Sequence, residues 1–553
     1  MRGLFAALIC ASGIVAPVVI KAITYTHFVR PDGSATSTCT QTEPCSLARA
    51  AALAGGRDMP PGSVVLVQYG ADGVYSQGAL NFAGSGSAGN PIMFIGENGV
   101  RLTGTRFKPD PRAWTRVPGR KYTYQLDWDE QKNFTSSNPA QRPPVPNWRP
   151  IVVEDRRPPF TTPARRQFAL EFPPRYSNRI SVDQVEAQSC THWNDIANNK
   201  VYVHTCDDGP PSDQNNLHLS STGWGSIVIS GDYLWFENIA MEHASSSGGG
   251  GLRVNQSADG TVLKRITARA VDVILRGTNT VVEDLDISHV ILQGNHRNQC
   301  YDANPDFGVG ECWNAAGEGK PLYVGVEGSS ASAGQVVRRA RVHRSWNGAT
   351  VAGPNTIEDS TFWGFANHTF ASGGHGGTVR RNVFLNGQDS FYNEGTDFDD
   401  LTVENNVFVD GVLFWVSRDG KGGTPPSGWR FRYNIASSIV YDDKTYPAVT
   451  SDCNLYIPLS ADAGNLMRVV GTEGRAGASY QTLAHVQDAT RLEGRSMTLP
   501  YTKWTDGTLF RRFRGEMFTD FDFQPAEGAS LNVCGRRVGP YSVEAPGALR
   551  IFY

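Results

Sequence analysis

The sequence predicts an all-β protein: a right-handed parallel β-helix, a single-stranded solenoid with an inserted β-rich subdomain and capped ends. Three observations lead there. A short motif returns at intervals of about 20–25 residues, its apolar positions hold β-branched or aromatic residues, and 59 glycines in 553 residues supply tight turns between short strands.

The motif starts as FENIAM at Phe236 and returns as LKRITA at Leu263, VEDLDI at Val282, VRRARV at Val337 and IEDSTF at Ile357. It continues as VRRNVF at Val379, VENNVF at Val403, FRYNIA at Phe431 and a degenerate SDCNLY at Ser451. The intervals are 27, 19, 55, 20, 22, 24, 28 and 20 residues; all but the 55 are one-coil periods, and the 55 is read as two coils plus an insertion. A unit this short cannot bury its apolar side alone and must stack on copies of itself. Leucine-rich repeats share the period but need recurring Leu and a helical half, and no 3.6-residue pattern is present. Asn382, Asn406, Asn434 and Asn454 share one motif position, so their side chains are expected to hydrogen-bond along the stack.

Around this main helix, assigned to 217–460, the chain divides further. Residues 23–105 are expected to form an N-terminal cap, with a stapled loop and a short helix, followed by the first coils. Residues 106–216 are Pro- and Arg-rich, break the period and read as the inserted β subdomain. Residues 461–553, with one helical stretch in ASYQTLAHVQDATRLEG, are expected to cover the far end.

With charged residues at 19% and a net charge of −3, the composition points to neither nucleic acid nor a charged membrane surface as partner. Residues 1–22 read as a signal peptide, the alternative being an uncleaved anchor; no other segment is apolar enough to span a bilayer. The expected location is therefore secreted or periplasmic, with no membrane association after cleavage. Removing the leader leaves eight cysteines, an even number that suits disulfides. Sequence neighbours suggest Cys39–Cys45, Cys190–Cys206 and Cys300–Cys312, leaving Cys453 for Cys534, although spacing alone does not determine connectivity.

FVRPDGSA, EPCSLARAAALA, PGSVVLV, GSAGNPIMFIG, KVYVHTCDDGPPS, DFDFQPAEGAS and RRVGPY together resemble secreted right-handed parallel β-helix proteins of the pectate-lyase-like family. That family contains polysaccharide lyases and glycoside hydrolases. The resemblance spans most of the chain beyond residue 22 and implies an extended polysaccharide as partner; the inserted subdomain is similar to one in some β-helix glycosidases. The calcium-binding Asp cluster of certain pectate lyases is not recognisable. GGHG at 373–376 matches one piece of the polygalacturonase set, but without its acidic companions it reads as a turn.

Cleavage by hydrolysis needs two carboxyl groups across the bond; elimination needs a base and a cation or donors for the enolate-like intermediate. Counting ten residues from the motif's last apolar position places Ala352, Ser372, Glu394 and Arg418 in one column, with Asp389 at the turn before Glu394 and His368 one coil back. Asp389 and Glu394 are the expected acid/base or nucleophile pair of a hydrolase. In a lyase, Arg418 would neutralise a substrate carboxylate, with His368 or Tyr392 as base. The plainer alternative is an exposed Glu394–Arg418 ion pair and a turn-forming Asp389.

Substrate contacts are expected from Trp346, Asn347 and Asn393, and from the 288–320 loop carrying His296, Arg297 and Trp313. No cofactor and no metal site is assigned; Ca²⁺ at TDFDD (396–400) competes with a reading of solvated turn acids. The function expected is binding of an extended polysaccharide and cleavage of its glycosidic bonds, by hydrolysis or β-elimination. The alternative is a non-catalytic surface or adhesive β-helix.

Overall fold

The computed structural model describes residues 23–71, 73–76, 78–107, 109–127, 151–154, 177–178, 181–189, 191–195, 198–215, 217–220, 225–242, 251–269, 271–288, 321–326, 332–345, 348–365, 370–372, 376–385, 392–393, 400–409, 427–442, 449–458, 466–470, 477–504, 509 and 531–539. The expected leader at 1–22 lies outside them.

The coils from Val281 to Asn393 each contribute three short strands. Two of them meet at a tight corner: Val281–Glu283 turns through Asp284 and Leu285 into Asp286–Ser288, and Val336–Arg338 turns likewise into Arg341–Ser345. The third strand stacks into a separate parallel sheet of eight, in the order Leu80–Phe82, Ile227–Ile229, Leu252–Val254, Val273–Leu275, Leu322–Val324, Ala349–Val351, Phe370–Ser372 and Tyr392–Asn393. Coils pair only with their neighbours in parallel register, which is the parallel β-helix.

The nine motif starts lie in one continuous column. Phe236 pairs with Leu263, Leu263 with Val282, Val282 with Val337, and the series runs on through Ile357, Val379, Val403 and Phe431 to Ser451. The 55-residue interval is therefore one coil, because Val282 and Val337 are direct partners. The extra length lies between Ser288 and Leu322 of that coil.

Inward positions of the coils form the core. Phe236 and Phe94 stack at 5.1 Å with Phe82 edge-on to both, and farther along Phe362, Phe384 and Phe408 stack at 5.0 and 4.8 Å. Such spacing follows from the ~4.8 Å separation of paired strands.

The corner carries three side-chain columns. At its tip a non-glycine residue takes a left-handed backbone in coil after coil: Asn238, Arg265, Asp284, Arg339, Asp359, Arg381, Asn405, Tyr433 and Cys453, with φ between 52° and 60°. Each costs about 1–2 kcal/mol. The geometry keeps the ladder intact around the bend, as in Asp284 N–H to Arg338 O at 3.2 Å and Arg381 N–H to Glu404 O at 3.1 Å.

Just inside the tip runs the expected asparagine column. Asn382, Asn406 and Asn434 each donate through Nδ2 to Oδ1 of the next asparagine at 3.1 Å, ending on Asn454. The same Oδ1 atoms accept the backbone N–H of the preceding asparagine at 2.8–3.0 Å. All four side chains are fully buried. The column finishes on Glu493, 1% exposed, whose carboxylate accepts from Asn454 Nδ2 at 3.1 Å and from the Ser451 and Ser496 hydroxyls.

Just outside the tip, charge alternates coil by coil. The register runs Glu237, Lys264, Glu283, Arg338, Glu358, Arg380, Glu404, Arg432 and Asp452. Many of these pair directly, as in Arg380 Nε to Glu358 at 2.7 Å and Arg432 Nε to Glu404 at 3.1 Å.

Both ends are closed. Helix Leu47–Leu53, capped by Ser46 Oγ accepting from Arg49 N–H, buries Leu47, Ala50, Ala51 and Leu53 at the first coil beside the Cys39–Cys45 disulfide. At the other end helix Leu483–Thr490 follows an antiparallel pair, Met467–Val470 with Ala478–Tyr480. Trp504, Leu509, Val533 and Val538 pack on the outward apolar residues Val407, Ile435 and Leu455, and a Cys453–Cys534 disulfide ties that segment to the corner. Cys206 is also disulfide-bonded, whereas Cys190, Cys300 and Cys312 lie outside the described residues.

Between the first coils and the main helix, a three-stranded antiparallel sheet (Thr105–Phe107, Leu217–Ser220, Ile151–Glu154) adjoins a five-stranded one built on Thr123–Asp127, Lys200–His204 and Thr191–Asp195. Trp114, Tyr124, Leu126, Val201 and Val203 give this inserted unit its own small core.

Candidate functional site

The eight-stranded sheet has one outward face. Side chains alternate across a strand, so the middle residue of each three-residue strand points out while its neighbours fill the core. The outward series reads Asn81, Val228, Arg253, Ile274 and Tyr323, and Thr350, Ala371 and Tyr392 occupy the next three register positions. Seven strand steps give a face about 34 Å long.

Two arginines on this face differ from those at the corner. Arg253 sits mid-strand; Arg276 follows Leu275 on the next coil, and its N–H continues the ladder to Val254 O at 2.9 Å. One strand across and two residues along from Arg253, it lies on the same face, with backbones about 8 Å apart. Both are half-buried, and the Nε atoms of both are buried without a hydrogen-bond partner, as is Asn255 Oδ1 beside them. Neither arginine forms an ion pair among the described residues. Burial, and then the like charge of Arg276, pull Arg253 below the ordinary guanidinium value. Asn255 Nδ2 and the Ser230 hydroxyl bond at 2.7 Å, and Ser230 in turn reaches Asn81 at 3.2 Å, so a polar row flanks the pair.

A second polar cluster lies on the strands that follow the corner. Asp286 bonds His343 Nε2 at 3.0 Å and pairs with Arg341, and the imidazole stacks on Trp363 at 4.2 Å with the rings 3° from parallel. This orients an imidazole through a carboxylate, a device that fits either structural packing or proton transfer.

Most residues singled out from the sequence lie outside the described residues: Asp389, Glu394, Arg418, His368, Trp346, Asn347, His296, Arg297 and Trp313. Of TDFDD, only Asp400 is described, and it is exposed. Tyr392 and Asn393 are placed by their backbones alone, Tyr392 opposite Ala371 and Asn393 opposite Ser372. Ser372 in turn faces Val351. The counted column is thus one residue out of register, since Ser372 was aligned there with Ala352 and Glu394. Tyr392 takes the register position shared with Arg253 and Tyr323. Among the described residues, no group of three His, Cys, Asp or Glu side chains could hold a metal ion.

Arg253 and Arg276 were missed because a lone arginine in a β-strand reads as a solvated outward residue. The signal available was Leu-Arg recurring in consecutive coils, LRV at 252–254 and LRG at 275–277.

Three-strand coils, a buried amide column at the tight corner and a third sheet of eight parallel strands define the chain as a parallel β-helix. Its backbone is similar to that of XylC in complex with xylose, with a TM-score of 0.50 at 11% identity over 86% of this chain and 82% of that one. A glycoside hydrolase gives a TM-score of 0.42 at 12% identity, covering 80% of this chain and 94% of that one. Pectate lyase Pel9A gives 0.36 at 13%, covering 76% and 78%. The likeness to XylC, at that identity, is one of fold alone. No protein-family model and no curated protein sequence matches the chain.

Proposed function

We propose that the chain binds an extended polysaccharide along the outer face of the eight-stranded sheet and cleaves its glycosidic bonds. The observation that supports this best is the face itself. It is about 34 Å long and carries Asn81, Arg253 and Tyr323 in one row where the corner faces carry neutralised charge pairs. The proposed catalytic groups are Asp389 and Glu394 for hydrolysis, or Arg418 with His368 or Tyr392 for elimination. Trp346, Asn347, Asn393, His296, Arg297 and Trp313 are proposed to contact the sugars. Disulfides at Cys39–Cys45 and Cys453–Cys534 suit an oxidising, extracytoplasmic compartment.

The test incubates the purified protein with neutral and acidic polysaccharides, following reducing ends and the ultraviolet absorbance of unsaturated uronic acids, with Glu394→Ala in parallel. Reducing ends with absorbance identify elimination, and reducing ends alone identify hydrolysis. Binding without cleavage across the panel would leave the non-catalytic adhesive reading in its place.

A further inference from the structure

We infer that Arg253 and Arg276 act together as a clamp for one anionic group, a carboxylate or sulfate, on the polysaccharide; this rests on the binding face proposed above. The first argument is electrostatic. Arginines of the corner columns have carboxylate partners: Arg338 with Glu283, Arg339 with Asp284, Arg380 and Arg381 with Glu358, Arg432 with Glu404 and Arg495 with Asp452. Arg253 and Arg276 have each other instead. A like-charged, half-buried pair raises the free energy of the empty protein, and a bound anion would reverse the sign of that interaction.

The second argument is hydrogen bonding. Three buried polar atoms, the two Nε groups and Asn255 Oδ1, lack partners on one small patch. Buried donors normally find acceptors, and a planar guanidinium offers paired donors that fit a carboxylate or sulfate. Asn255 Oδ1 adds an acceptor beside them, suited to a neighbouring sugar hydroxyl.

The third argument is spacing. The two backbones are about 8 Å apart on adjacent strands, and their long side chains leave the same face, so both heads can close on one oxyanion between them. From Arg253 to the Tyr392 register position is five strand steps, about 24 Å. The clamp would therefore hold the chain some sugar units away from the groups proposed for cleavage, setting which polymer enters and in what register.

The test measures affinity by calorimetry for three hexasaccharides: galacturonate, sulfated galactose and neutral xylose. Arg253→Gln, Arg276→Gln and the double variant are compared with wild type, reducing ends are followed in the same samples, and melting curves check folding. Wild type should prefer at least one anionic hexamer over the neutral one by about tenfold or more. Whichever anionic hexamer wins identifies carboxylate or sulfate as the natural group.

Each single variant should abolish most of that preference. If both arginines serve one anion, the double variant should be weaker than either single by less than about threefold; independent sites would multiply to about a hundredfold loss. Arg253→Lys keeps the charge but not the planar donors and should lose part of the preference. Multiplicative losses, or an anionic-to-neutral ratio unchanged in the double variant, would overturn the clamp while leaving the binding face standing. Failure of all three hexamers to bind would overturn both.

Discussion

Replacing Asn434 with alanine probes the interior of the amide column. The side chain is fully buried and serves three neighbours. Its Nδ2 donates to Asn454 Oδ1 at 3.1 Å and to Val403 O at 3.0 Å, while its Oδ1 accepts from Asn406 N–H at 3.0 Å and Asn406 Nδ2 at 3.1 Å. Alanine orphans the Asn406 N–H and removes a donor from Val403 O. Asn454 Oδ1 keeps the Asn434 backbone donor at 3.0 Å, and Asn406 Nδ2 keeps Val379 O at 2.9 Å. One fully orphaned group and one weakened one, at ~1–3 kcal/mol each, with a small cavity besides, give an expected loss of about 3 kcal/mol.

The assay is urea unfolding followed by near-ultraviolet circular dichroism, with amide exchange of the 382–456 coils, because stacked repeats need not unfold in one step. Exchange should accelerate most at Asn406 and Val403 and fade within one or two coils on either side. Asn434→Asp should be worse at neutral pH, since a buried carboxylate cannot donate to Val403 O. Thr402→Ala, on the outward face of the same region, is the control. A loss below about 1 kcal/mol for Asn434→Ala would refute the argument that these amides satisfy otherwise stranded backbone groups.

Two further predictions concern the corner and its end. Glu358→Lys places a cation between Arg338 and Arg380 and beside Arg381 at a position only 8% exposed, so unfolding should be easier by about 2–4 kcal/mol; adding Arg380→Glu should recover part of it. No recovery in that double variant would show that the loss is steric rather than electrostatic. Burial pushes the Glu493 carboxyl above its ordinary 4.5, against the hydrogen bonds from Ser451, Ser496 and Asn454 that act the other way. The unfolded chain then releases this proton first as pH rises, so stability falls from pH 4.5 upward until the folded carboxyl also ionises. Glu493→Gln should flatten that part of the stability–pH curve, and an unchanged slope would mean that other groups set it.

How much was legible follows from where the determinants lie. The nine motif starts could be aligned because each coil must present an apolar residue to the same interior column, and a β-branched or aromatic residue recurs there. The asparagine column was legible for the same reason, since Asn382, Asn406, Asn434 and Asn454 sit a fixed three residues beyond Val379, Val403, Phe431 and Ser451. The tight corner keeps that offset constant. Beyond the corner, loop length between the second and third strands varies from coil to coil, and counting across it slips. That is why Glu394 was aligned with Ser372, where the register places Asn393, and why Val282 to Val337 was read as two coils. The arginine pair was invisible for a further reason: Arg253 and Arg276 stand 23 residues apart and become neighbours only when their coils stack, and a sequence does not show which arginines lack a carboxylate.

The alternating column from Glu237 to Asp452 also imposes a parity rule on how this solenoid can change length. Deleting the coil that carries Glu358 would bring Arg338 against Arg380, and deleting the one that carries Arg380 would bring Glu358 against Glu404. Duplicating any one coil sets a charge beside its own copy. Removing or adding two adjacent coils preserves the alternation throughout. Repeat proteins commonly grow and shrink by whole units; here the smallest electrostatically neutral step is a pair, so the stacked sheets would lengthen or shorten two strands at a time.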